Sequence, residues 1–346
     1  MPPSPFRVSS PALNGLPIKT FRVVLLAVTC LLPVVSVVAK SAESTGTEPV
    51  MEEVVTAGKK PGSPLWEVVN GERKLFIFGS LVPLPKCFEW DSERVEWVIS
   101  QSAEFVGPPG IRSGTSNSFK LPGILRELNK REKLPEAQTL EQVLPPDVYA
   151  AFLKEKARYA LKNRKLLPMR PRFAAEELSR RAFERAGLSD ENRITPWIVK
   201  RARKHDLTIT EAVVNMPVEE ALEMLKQVSP KAEEACMRTV LMSIHSDLAA
   251  ALKRAEAWME GSVDLLKVQD YPNVGAVCTD SLLNSPIAQE ARIKAKDMWF
   301  AAAVRALENN NSTFSILPMR EIFHPEGLVA CLKEQGYTVT GAATTP

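Results

Sequence analysis

Alternating apolar and polar positions mark where the folded part of the chain begins. Leu65 to Val69 and Lys74 to Phe78 are two such runs, set on either side of Asn70-Gly71. Alternation of this kind signals strands. Asn-Gly suits a tight hairpin turn, because both residues tolerate positive φ. The apolar spacing then lengthens to three and four residues, which is the helical period. Asp91 stands where it can cap a helix running to Ala103. Further helices are expected over residues 123–130, 147–163, 174–186, 196–204 and 218–227. The strongest pattern covers 231–260, where Met237, Leu241, Ile244, Leu248, Leu252, Ala255 and Met259 form one apolar stripe. Another helix covers 286–308 and ends at Asn309-Asn310-Asn311. Residues 313–317 read as a short strand, 326–335 as a helix closed by Gly336, and 337–340 as a last strand.

This order predicts an α+β fold. A mixed central β-sheet is formed by the N- and C-terminal β segments and covered by a large helical middle region. Residues 107–118, rich in Pro, Gly and Ser, read as a loop. Gly107-Pro108-Pro109-Gly110 is no phosphate cradle, since its prolines lack the backbone donors such a cradle needs. No repeat of fixed period is visible.

The first residues read differently. Lys19 and Arg22 precede an apolar run from Val23 to Ala39, about 17 residues and close to the length of a signal-peptide core. Cleavage is expected after Ala39, so residues 1–39 are a signal peptide and the mature protein is periplasmic or secreted. The alternative is an uncleaved signal anchor, which is the only membrane contact expected. Residues 40–63, rich in Ser, Thr, Glu, Gly and Pro, read as a disordered tether to a domain over 64–341. Cys87, Cys236, Cys278 and Cys331 remain after cleavage. An exported chain permits disulfides, and four cysteines allow three connectivities. Buried free thiols are the other reading. The net charge of +3 comes from scattered residues. Nucleic-acid binding needs a clustered basic face, so no nucleic-acid partner is expected.

Several segments, in order along residues 64 to 340, resemble the TraB/GumN family, which includes the Tiki-like metalloproteases. Leu65-Trp66-Glu67-Val68 with Leu75 to Pro85 is similar to its opening hairpin. Leu167-Pro168-Met169, Pro196 to Glu211, Lys296-Asp297-Met298-Trp299-Phe300 and Gly327 to Val339 follow in the family's order. The resemblance implies two GxxH motifs whose histidines are candidate metal ligands. Here Gly79 is kept, but the first histidine position is Val82. In the second motif the glycine position is Pro318 and the histidine position is Glu321. The family's early acidic residue falls near Gly107 to Pro109, where no carboxylate stands, and its helical Arg-Asn pair becomes Lys296 and Asp297.

These changes bear on chemistry. A catalytic metal site takes about three protein ligands plus an open position for water. The remaining candidates for a divalent metal are Glu321, His324 and Glu211. Pro325 favours an extended backbone at His324, which works against pairing it with Glu321. The leading expectation is therefore an exported scaffold, catalytically inactive, that binds a peptide or protein partner or serves as an envelope factor. Val82, Pro83, Pro318, Glu321 and Lys296 would line the former site. The competing expectation is a metal-dependent peptidase using Glu321, His324 and Glu211, with Lys296 steadying an oxyanion. A haem or small-molecule carrier, which the wider superfamily suggests, has no residue support. The other histidines, His205 and His245, read as a solvated helix end and a partly buried structural residue. Cys87 has no histidine near it in sequence to act as a base for a nucleophile.

Overall fold

The structure, a computed structural model, describes residues 59–114, 118–135, 138–269, 278 and 285–341. The expected signal peptide and the tether up to residue 58 lie outside the described residues. The tether's last residues are built into the fold: Gly62 N donates to Met259 O at 2.8 Å, and Lys60 bridges to Trp90.

The hairpin forms as β1 (Leu65–Asn70) and β2 (Arg73–Ser80), antiparallel with Asn70 facing Arg73. That register puts Gly71-Glu72 in the turn, one residue later than Asn70-Gly71. Gly71 alone has positive φ there, at 61°. A positive φ at the first central residue only is the II′ pattern, and it needs glycine only at that residue. The chain then passes through β3 (Leu84–Pro85), β4 (Glu104–Val106), β5 (Gly110–Gly114), β6 (Leu188–Ser189), β7 (Thr208–Thr210) and β8 (Val213–Pro217). It ends with β9 (Ser312–Pro318) and β10 (Thr338–Thr340).

The main sheet has six strands in the order β10-β1-β2-β9-β4-β7. Its mixed character and its pairing of the two chain ends are as expected. The middle of the chain also contributes β4 and β7, both parallel to β9 in the run β9-β4-β7. β9 sits centrally, with Thr313 to Leu317 all buried, as a strand covered on both faces must be. Its buried hydroxyls are satisfied. Trp299 Nε1 donates to Ser315 Oγ at 3.0 Å, and Ser315 Oγ donates to Val106 O at 2.8 Å. Two small ribbons, β3-β6 and β5-β8, flank the sheet. The second replaces much of the loop expected over 107–118.

Two long helices carry most of the packing. Both Pro230–Met259 and Pro286–Asn309 begin with a serine whose hydroxyl accepts a backbone N–H, followed by proline in the first turn. This pairing meets the orphan donors at a helix start. The first of these helices spans two apolar clusters. Cys236, Met237, Val240 and Ile244 join a helical cluster with Leu140, Val148, Phe152 and Leu178. Ala251, Ala255 and Trp258 join the larger core beneath the sheet. The buried face departs from the expected stripe: Leu252 is 42% exposed and Trp258 is fully buried. Among the cysteines, Cys236 and Cys278 form a disulfide, while Cys87 is free and exposed and Cys331 is free and half-buried. No helix among the described residues is long and apolar enough to cross a membrane.

Candidate functional site

Four parallel strands end side by side. β2 finishes at Ser80, paired with Pro318 at the end of β9; Val106 at the end of β4 pairs with Ser315 on one side and Thr210 on the other. The residues that follow these ends are Val82, Glu321, Pro109 and Glu211. The carboxyl ends of parallel strands are the usual binding edge of such sheets. The topology therefore collects on one edge positions that are far apart in sequence.

A small cavity of about 200 Å³ opens at this edge, walled by Pro109, Gly110, Ile111, Arg292, Ala295, Lys296, Pro318 and Glu321. Lys296 reaches it from the helix Pro286–Asn309, and Glu321 from the short helix Met319–Phe323. Lys296 Nζ lies 2.9 Å from Glu321 Oε1. The glutamate side chain is 14% exposed, and its Oε2 is buried with no hydrogen-bond partner in the structure. Lys296 and Glu321, far apart in sequence, thus meet in one ion pair.

Of the residues expected to line the site, Pro318, Glu321 and Lys296 are walls, while Val82 and Pro83 are not. Val82 is 42% exposed. Asp297, one residue past Lys296, is exposed on another side of the helix. The proposed metal ligands are not brought together. Glu211 is held by Arg112 through two hydrogen bonds, at 3.0 and 3.3 Å. His324 caps the short helix in extended backbone, as Pro325 requires, and its Nδ1 accepts the Glu326 N–H at 3.1 Å. No group of three His, Cys, Asp or Glu suited to a metal stands together among the described residues. The donor set does not fit a divalent metal. Val82 and Pro109 have no donor side chain, Glu321 is tied to a lysine, and His324 is turned to a backbone amide.

The other two histidines sit elsewhere. His205 follows the helix Ile194–Lys204 and lies 4.0 Å from Glu96. His245, expected to be partly buried, is exposed, with Nε2 3.2 Å from buried Glu155 and Nδ1 3.0 Å from the Tyr159 hydroxyl.

The model of the TraB/PrgY/gumN family matches residues 64–341. The chain belongs to this family. No curated protein and no solved structure matches it. The match spans every strand of the main sheet, so the sheet and this edge lie within the matched region.

Sequence reasoning missed two features of this family member. Arg292 lines the cavity one helical turn before Lys296, and the i, i+4 spacing to Lys296 was a signal that could have found it. Glu104 is a buried carboxylate at the start of β4, at the opposite edge of the sheet. Its oxygens accept hydrogen bonds from Arg305, Thr210 Oγ1 (2.5 Å) and Asn310 Nδ2 (2.9 Å). That set is fully partnered and ties the start of β4 to β7 and to the residues just before β9. It had no sequence signal beyond one carboxylate in an apolar run.

Proposed function

We propose that this TraB/PrgY/gumN protein is an exported binding scaffold that has lost metal-dependent hydrolysis and whose sheet-edge cavity receives a peptide or protein partner. The observation that carries the reading is the Lys296–Glu321 ion pair, 2.9 Å long, at the positions the family resemblance gives to an Arg and a metal-binding His. A cation bound to the carboxylate takes the place a metal would need and leaves no basic group to activate water. The apolar walls around it suit binding, since ligand cavities combine apolar surface with a few placed polar groups. The Cys236–Cys278 disulfide supports export, because such bonds persist in oxidising compartments. Residues 1–39 as a signal peptide, a tether after it that ends before the built-in residues at Lys60 and Gly62, and 64–341 as the working domain complete the reading.

The test is metal content by mass spectrometry, after loading the purified protein with zinc, manganese or cobalt and desalting. The expected result is far less than one metal per chain. One metal per chain that disappears in Glu321→Ala or His324→Ala would overturn the reading and restore the peptidase.

A further inference from the structure

A second concave surface lies on the helical part of the domain, built from other elements than the sheet edge. It is a groove of about 750 Å³ between the helix Pro171–Arg185 and the turn that follows the helix Pro146–Tyr159. Tyr159, Leu161 and Met169 give it apolar walls, and Leu161 is 64% exposed. Lys162, Lys165, Arg181 and Arg185 add four cations. Glu177 is the one carboxylate among the lining residues, and it is already bonded by Arg180 and Arg181. Lys162, Lys165 and Arg185 make no ion pair among the described residues. Arg185 Nη1 donates to a neutral acceptor, the Arg158 carbonyl, at 2.9 Å. Three cations therefore share one groove without a counter-charge. A cleft lined by one sign of charge focuses its field and attracts the opposite sign.

Two contacts set the length of the groove. Asn163 Nδ2 donates to Glu177 Oε1 at 3.4 Å, and Arg185 reaches back to Arg158. Glu177 and Arg185 lie two helical turns apart on one helix, so the groove runs about 12 Å. An extended peptide covers that distance with about three to four residues. The chemistry narrows the occupant further. Inorganic phosphate would meet the cations but leave the apolar walls uncovered. A fatty acid would cover the walls but neutralise one cation of three. A nucleic-acid backbone needs a longer basic face than this. A flat lipid surface does not enter a concave groove. A short peptide with several carboxylates around an apolar side chain meets the charge, the walls and the length together.

We propose that this groove docks an acidic peptide segment of a partner protein, with Lys162, Lys165 and Arg185 meeting its carboxylates and Leu161 and Met169 covering its apolar side chain. The surface is separate from the sheet-edge cavity, so its test stands whichever way the metal measurement falls.

The experiment is fluorescence anisotropy on the purified protein with end-blocked, labelled Glu-Leu-Glu-Glu, Gln-Leu-Gln-Gln and Glu-Ser-Glu-Glu. The first should bind, and more weakly at physiological than at low ionic strength, because the cations are exposed. The glutamine form should bind at least about tenfold more weakly, since it loses three charge pairs. The serine form should also lose about tenfold, since it gives up the burial of a leucine. Lys162→Glu with Lys165→Glu should abolish binding of Glu-Leu-Glu-Glu. Arg185→Gln, a single exposed change, guards against misfolding of that double variant and should weaken binding several-fold. Lys154→Glu, on the preceding helix and outside the groove, should leave it unchanged. Equal binding of the glutamate and glutamine peptides, no binding of either, or an undiminished double variant would overturn the proposal. Tighter binding of a DNA duplex or of phosphatidylglycerol vesicles, lost in the same double variant, would overturn it in favour of those partners. A dimer in sedimentation that the double variant breaks would give the groove to a second copy of this chain instead.

Discussion

Gly79 has a structural reason to be glycine, whatever chemistry follows it. A Cβ at this position would lie 2.5 Å from Met319 Cε, 2.8 Å from Met319 Sδ and 2.9 Å from Trp66 Cζ3. Its carbonyl accepts the Trp258 indole N–H at 2.8 Å. Met319 begins the short helix that carries Glu321, so the glycine supports the site's geometry without taking part in its chemistry. The resemblance supplied an expected register for Val82, Pro318, Glu321 and Lys296, and of these Pro318, Glu321 and Lys296 share one cavity wall. What stayed hidden was that Lys296 and Glu321 touch, since two residues 25 positions apart need the fold to meet. Gly79→Ala should lower stability by about 1–3 kcal/mol in urea unfolding, the usual cost of overpacking a filled core. Met319→Ala removes the two nearest atoms the new methyl would strike and leaves Trp66 Cζ3. The double variant should therefore lose clearly less than the sum of the two single variants. Strict additivity would show that the steric account is wrong.

Helices were more legible than strands because their signals are longer. The two serine-proline starts, the two long apolar patterns and the closing glycine all have local causes. β4, β5, β7 and β8 run three to five residues, and β5, β7 and β8 are half-exposed, so alternation cannot mark them. Tertiary pairing decides them, not sequence pattern. The helix Pro171–Arg185 illustrates charge order within one element. Glu177 bonds Arg180 at 2.5 Å and Arg181 at 2.8 Å, on the i+3 and i+4 steps. Burial pushes the Glu177 carboxyl up, but the hydrogen bonds from Arg180 and Arg181 outweigh it and leave it below the ordinary glutamate range. A carboxyl lowered by folding adds stability above its unfolded value, and that stability is lost as pH falls through the folded value. Glu177→Gln should thus be less stable than the parent at pH 7, on the order of 1 kcal/mol because the arginines are partly exposed. The gap should narrow at an acidic pH below the ordinary glutamate range, as the carboxyl takes up its proton in the folded state too. Urea unfolding at both pH values checks this; a gap of equal size at both would mean that charge is not its source.

At the scale of the molecule, the α+β class and the pairing of the chain ends could be read from the order of elements. The split into two apolar clusters could not. One helix serves both, and its buried positions Met237, Ile244, Ala251 and Trp258 recur every seven residues, a phase the three-and-four stripe blurred. The clusters also leave a periphery. The helices Leu121–Glu132 and Val218–Lys226 bury no side chain, and the second packs against the β5-β8 ribbon. That ribbon contributes Gly110 and Ile111 to the cavity wall. Local stability follows buried apolar contact, so the wall of the cavity is joined to the least anchored part of the domain. Hydrogen exchange should order accordingly. Amides in these two helices should exchange at least about a hundredfold faster than those of β2 and β9, whose buried strands open only with the whole fold. Equal protection of the two helices and the central strands would mean that the ribbon unfolds with the core, and that the cavity wall is rigid before any ligand arrives.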